Sequence, residues 1–239
     1  MSEEKLGKEK GKILHKKTQI VIGLVSLLPI VLTAAVYGKL PEQIPTNWGF
    51  NGQISYSGKS QIWMIAGMCP VFAILFYILP SMDPKKRNYQ KFSGVYESFQ
   101  LFLQIFLMII TGIIITESFW PGTIQVSVVV TALCSVLCMF IGNMMPKFRQ
   151  NFFCGFRTPW ALSDEIVWNK THRLGGRMLF GAGIAGLIGA FLPGEKIKMG
   201  MLLVPLAVAT VIPYIMSYIW FQKQQEEKSH PVLLPCVHD

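Results

Sequence analysis

Hydrophobic residues in this chain do not alternate with polar ones. They gather into six runs close to 20 residues long and nearly free of charge, near Gln19–Tyr37, Gln61–Leu79, Phe99–Thr116, Ile124–Met145, Leu174–Leu192 and Met199–Phe221. At about 1.5 Å of rise per residue, a helix of that length crosses a hydrocarbon core of about 30 Å. The pattern predicts an all-α integral membrane protein with six transmembrane helices. Pro29, Pro70, Pro205 and Pro213 fall inside runs, where neighbouring helices accommodate the kink. The fifth run repeats small residues every fourth position, Gly181, Ala185 and Gly189 on one face and Ala182, Gly186 and Ala190 on another. Such faces let helix backbones approach closely, inside the bundle or across a homo-oligomer seam.

The polar stretches between runs divide the chain. Residues 1–17 are a basic tail, 18–80 a two-helix module with a loop at 38–60, 81–221 a four-helix module with a polar loop at 142–177, and 222–239 a second tail. The tail and first run resemble a signal peptide, but the run is long for one, so an uncleaved first helix is expected. The 38–60 loop carries Pro41, Pro45, Asn51-Gly52 and Ser57-Gly58, a density of turn formers that predicts turns over long helix or strand. Its aromatics Trp48, Phe50 and Tyr56 either rest at headgroup depth or contact an external ligand, a peptide or a lipid.

Composition agrees with the hydropathy pattern: 51% of residues are apolar, 15% are charged, and the mean hydropathy is +0.42. Charge then gives orientation. Counted by alternate segments, Lys and Arg number eighteen on one side of the runs and four on the other, and basic loops stay in the cytoplasm. Both termini and the 142–177 loop are therefore expected on the cytoplasmic side of a cell membrane, and 38–60 outside. The net charge of +9 follows from this bias and from attraction to anionic lipids, so no direct nucleic-acid partner is called for. Cys69, Cys134, Cys138, Cys154 and Cys236 avoid the external loops, which argues against a disulfide framework. Cys134 and Cys138 lack the further ligands a metal would need.

The runs hold no Asp, Lys, Arg or His well inside, and Glu117 stands at the edge of the third. Ion-coupled transporters keep ionisable groups near mid-membrane, so the pattern weighs against transport. Gln104 and Thr111 predict a hydrogen bond between helices. Asp83-Pro84-Lys85-Lys86-Arg87 reads as an orientation signal and lipid anchor, or as part of a docking surface shared with the 142–177 loop.

The 142–177 loop is the least generic stretch. Pro159 suits the start of a turn or helix. Ser163 can cap a short amphipathic helix from about Asp164 to His172, lying between the fourth and fifth spans. On that helix Trp168 and His172 share one side, and Glu165, Asn169 and Arg173 another. Arg157, Lys170, Arg173 and Arg177 form a basic face for acidic headgroups or a cytoplasmic protein, with Trp160 and Trp168 anchored at the interface. Arg157 is expected to hold the loop in shape by a bidentate bond to Asp164 or Glu165. Asp164 and His172 stand two turns apart, and no H-E-x-x-H, G-x-S-x-G or phosphate-binding glycine loop occurs. No catalytic, cofactor-binding or metal site is predicted.

This loop resembles the SdpI family of bacterial immunity and signalling proteins. The resemblance rests on Gly142-Asn143, Pro146-Lys147, Asn151, Gly155, Arg157-Thr158-Pro159-Trp160, Leu162-Ser163, Val167-Trp168 and Thr171-His172-Arg173. Leu40 to Ser60 is similar to the N-terminal domain of unknown function often fused to that family, departing from its pattern at Asn47-Trp48, where a His followed by an aromatic is expected. The resemblance implies protection against a secreted peptide toxin, and in the type member recruitment of a cytoplasmic transcriptional repressor. The toxin would meet the external face, with Trp48, Phe50 and Tyr56, and the repressor the cytoplasmic face, with Asn143, Asn151, Arg157, Thr158, Pro159, Trp160, Ser163, Trp168, His172 and Arg173. The alternative is a transporter or lipid-handling protein that binds an anionic group at the basic loop.

Overall fold

The computed structural model describes residues 13–49 and 53–229. Phe50 and Cys236, and most of both tails, lie outside the described residues. The elements in order are α1 (Lys16–Val36), β1 (Gln43–Trp48), β2 (Ile54–Gly58), α2 (Ile62–Met82), α3 (Lys86–Tyr89), α4 (Ser93–Phe119), α5 (Val126–Met144), α6 (Pro159–Ser163), α7 (Glu165–Ala190) and α8 (Glu195–Ser229). The long helices run between two ends. One end holds the hairpin, and the other holds the loop that follows α5.

The long helices bury a stripe each and leave much apolar surface open. On α1 the stripe is Ile22, Ser26, Pro29 and Thr33, one side of a 3.6-residue helix. Leu24 and Val31 on the outer side are 63% and 61% exposed. Water would not tolerate so much apolar surface, whereas lipid requires it. Among the described residues, five helices are long and apolar enough to cross a membrane. The remaining run expected from the sequence, Leu174–Leu192, falls largely in the second half of α7, whose first half carries Lys170, Arg173 and Arg177.

α1 and α2 pack on α4, while α7 packs most extensively on α8 and α5. Glycines make the second group tight. A Cβ on Gly142 would sit 2.6 Å from the Phe180 nitrogen, and one on Gly183 2.6 Å from the Ser135 oxygen. The face through Ala182, Gly186 and Ala190 is thus internal. Gly181 meets nothing within 4 Å.

Four local expectations need correction. The 38–60 loop is a β-hairpin, in which β1 and β2 pair antiparallel from Gln43 with Gly58 to Trp48 with Ile54. Ile44 is fully buried against Leu40, Ile62 and Ile114, and this anchor holds the strands where turn formers alone suggested loops. The register shifts just after Pro45, which has no N–H to give the ladder. The Asp164–His172 helix is not separate, because α7 continues unbroken through Gly175 and Gly176. The short helix of the loop is α6 instead. Thr111 bonds the Leu107 carbonyl of its own helix at 3.0 Å, and the buried Gln104 amide makes no hydrogen bond among the described residues, so neither bridges two helices.

Candidate functional site

The loop after α5 is tied down by side chains that the helices deliver to it. Asp83 closes α2 and is 2% exposed. One carboxylate oxygen accepts from the Lys85 N–H at 2.7 Å, and the other from the Tyr89 hydroxyl at 3.0 Å and the Phe152 N–H at 2.8 Å. Asn151 is fully buried, and its Oδ1 accepts from Phe153 and Cys154 N–H at 2.9 and 2.6 Å, while its Nδ2 donates to Arg149 O at 2.8 Å. Asn88 donates to Gln150 O at 2.7 Å, and Gln150 donates onward to Ala161 O and Leu162 O at 2.8 and 2.7 Å. The second basic loop and the motif loop are therefore one hydrogen-bonded body. Burial pushes the Tyr89 hydroxyl pKa up, and the Cys154 thiol to about 12, so both stay protonated.

Helix starts are supplied in turn. Thr158 caps α6, accepting from Ala161 N–H at 3.1 Å, with Pro159 in the first turn. Asp164, not Ser163, caps α7: its Oδ1 takes Ile166 and Val167 N–H at 2.8 and 3.0 Å, and Lys228 reaches its Oδ2 at 3.2 Å. Ser163 is already the last residue of α6, where its hydroxyl turns back to Trp160 O at 3.0 Å. Burial works to raise the Asp164 pKa, but the Val167 N–H, Lys228 and the Ile166 N–H outweigh it and hold the carboxyl below its ordinary value.

Trp168 and His172 lie stacked, ring centroids 3.9 Å apart, and both are essentially inaccessible. The Trp168 indole donates to Phe148 O at 2.9 Å. Trp168 is therefore a core residue, not an interfacial anchor. His172 sets Nδ1 2.9 Å from Trp168 O, and its Nε2 accepts from Phe156 N–H at 3.1 Å. Only the neutral ring with hydrogen on Nδ1 satisfies both bonds. Burial pushes its pKa down to about 4. With both nitrogens engaged, the ring is a structural strut rather than an acid–base group. Gly155, at φ +93°, makes room for it, since a Cβ there would lie 2.1 Å from Nε2.

The other candidates are more open. Arg157 is exposed and bonds Phe152 O at 3.1 Å. It does pin the loop, but to a backbone carbonyl, because Asp164 is spent on its helix and on Lys228. Trp160 is half-buried between Tyr214 and Tyr218 of α8, with centroids at 5.7 and 5.0 Å. Asn143 and Arg173 are exposed.

The hairpin end is built differently. Beneath β1 a cavity of about 370 Å³ opens between the hairpin, the end of α4 and the starts of α5 and α8, lined by Trp48, Glu117, Ser127, Thr131 and Glu195 among others. The Trp48 indole nitrogen is buried without a partner among the described residues. Glu117, 3% exposed, takes the N–H groups of Gly122 and Ile124 at 2.9 and 2.7 Å. Glu195 pairs with Lys198 at 2.9 Å and accepts from Ser127 at 3.1 Å. Tyr56 stands 52% exposed on β2. The sequence reading named Asp83 and Glu117 without these roles, and passed over Tyr89, Gln150 and Glu195. The signal was there for the acids, each isolated at the edge of an apolar run.

Comparison with known proteins completes the picture. Residues 147–217 match the SdpI/YfhL protein family, and residues 24–69 match a domain of unknown function, DUF1648. The chain is 24% identical over 208 residues to the protein named Immunity protein SdpI of Bacillus subtilis (strain 168), covering 87% of this chain and 97% of that one. No solved structure matches. Taken together, the two matched segments and the near full-length relative show that this multi-pass membrane protein is similar to SdpI-type proteins, most directly over the motif loop and the helices that follow it.

Proposed function

We propose that this protein protects its cell from a secreted peptide toxin, which it meets at the hairpin end. The observation that carries the reading is the relative's coverage, 87% of this chain and 97% of its own. The likeness thus takes in the hairpin as well as the motif loop. The cavity beneath β1 supports it further. An indole N–H with no partner among the described residues and two carboxylates line the same cavity, a donor and acceptors of the kind a peptide backbone and a cationic side chain would engage. In this account six helices cross the membrane and both termini are cytoplasmic, in keeping with the basic bias of one set of loops. The motif end, facing inward, is where a transcriptional repressor would be drawn to the membrane.

The test is survival of toxin-sensitive cells challenged with secreted fractions from the producing strain and its relatives. Wild type should protect, and Trp48→Ala at matched membrane level should not. Equal protection by both would move toxin contact away from the cavity, and no protection by the wild type would remove the immunity reading. Salt-dependent lipid binding without protection would favour a lipid-handling protein instead.

A further inference from the structure

A second cavity, of about 440 Å³, lies at the motif end, and four cations line it: Lys91, Lys147, Arg149 and Arg173, with the amide of Asn169 beside them. They come from three places in the chain. Lys91 stands just ahead of α4, Lys147 and Arg149 just past α5, and Arg173 in the third turn of α7. All four are exposed, and none makes an ion pair or a side-chain hydrogen bond among the described residues. At the same end Lys85 is partnered by Gln150 and Lys228 by Asp164.

The rule that basic loops face the cytoplasm accounts for the number of these charges but not for their placement. It is satisfied by cations scattered over a loop. Gathering four into one concavity with no acid among them sets like charges against each other, in walls that focus the field. An anion in the cavity would relieve that repulsion. Arginine presents a planar fork that fits an oxyanion at two points, and lysine adds a point charge. Phe92 and Pro146 supply an apolar wall, and the volume falls in the small-molecule range of roughly 300–1,000 Å³. The site is the wrong chemistry for a cation or an apolar ligand.

We infer that this cavity, formed by Lys91, Lys147, Arg149 and Arg173, is a binding site for a phosphate-class oxyanion. Two sources share that chemistry, an anionic phospholipid headgroup and a free phosphate compound. The inference does not use the toxin reading, and cell survival is a separate readout from the binding measured here.

The experiment uses the full chain purified in detergent, with phosphatidylglycerol and phosphatidylcholine compared for retention by native mass spectrometry and pyrophosphate as the soluble probe. Retention of phosphatidylglycerol or binding of pyrophosphate should weaken about tenfold in Arg149→Gln/Arg173→Gln, given the worth of a charged hydrogen bond. The charge-matched control Lys223→Gln/Lys228→Gln, at the same end but outside the cavity, should change it less than about twofold. Displacement of the lipid by pyrophosphate assigns a site for free phosphate groups as well. Retained lipid that pyrophosphate does not displace assigns the headgroup as the source. Equal weakening in both double variants would reduce the effect to diffuse attraction and overturn the proposal, as would failure to bind either probe. Should the arginine pair misfold by circular dichroism, Lys91→Gln/Lys147→Gln is read by the same criteria.

Discussion

The two ends of this bundle use polar residues in opposite ways. At the motif end Asp83, Asn151, Gln150, Trp168 and His172 are turned inward, and each polar atom among them has a partner that fixes the loop. At the hairpin end the Trp48 indole nitrogen has no partner among the described residues, Tyr56 stands in the open, and Glu117 and Glu195, each bonded within its own end, line a cavity. One end is closed around its hydrogen bonds, and the other keeps a cavity lined by polar groups. The residues that identify a family in sequence can therefore be the ones that build its shape, while contact with a ligand falls to less distinctive positions.

Substitutions should separate the ends sharply. The largest effect is expected for Asn151→Ala. It strands the buried N–H groups of Phe153 and Cys154 and the Arg149 carbonyl, and each unmet bond costs about 1–3 kcal/mol. Loss of most folded protein from the membrane fraction is the expected result, and normal levels would break the contrast. Gly155→Ala should come next, since it places a Cβ against His172 at a positive φ. A cost of about 2–4 kcal/mol, from the clash and the backbone strain together, would appear as a lower melting temperature in detergent.

His172 then gives the comparison a pH dependence. Its folded pKa of about 4 lies below the ordinary value of about 6.5. The unfolded chain takes up the proton first. The stability His172 provides is therefore fully present above about pH 6.5 and is lost as pH falls towards about 4, an effect of about 3 kcal/mol across the window. Melting followed between about pH 7 and pH 4.5 should show that fall, and His172→Gln should flatten it. The smallest effect is expected for Lys228→Ala, whose ion pair with Asp164 is largely solvated on the lysine side and is worth about 0–1 kcal/mol.

Much of this was legible in the residues, for reasons that differ by element. The apolar runs announced the helices because lipid leaves a crossing chain no other backbone arrangement. Pro159 announced α6 through its fixed φ and missing N–H. The hairpin was hidden because its turn formers outnumber its strand formers, and burial of Ile44 in the bundle is a tertiary contact that local pattern does not show. Asp164 displaced Ser163 as the cap because Ser163 is itself the last residue of α6. Arg157 found a carbonyl and not a carboxylate, since Asp164 was already committed to α7 and to a lysine 64 positions away. The partnership of Asp83 with Phe152 spans 69 positions, and no local pattern encodes such a bond.

The claim that toxin is met at the open end has a direct physical test. A photo-crosslinking amino acid would be placed at Tyr56 on the hairpin, or at exposed Phe152 in the motif loop, in living cells exposed to the secreted toxin. The account predicts a toxin adduct from position 56 and none from position 152. An adduct from position 152 alone, or from neither while protection persists, would contradict it.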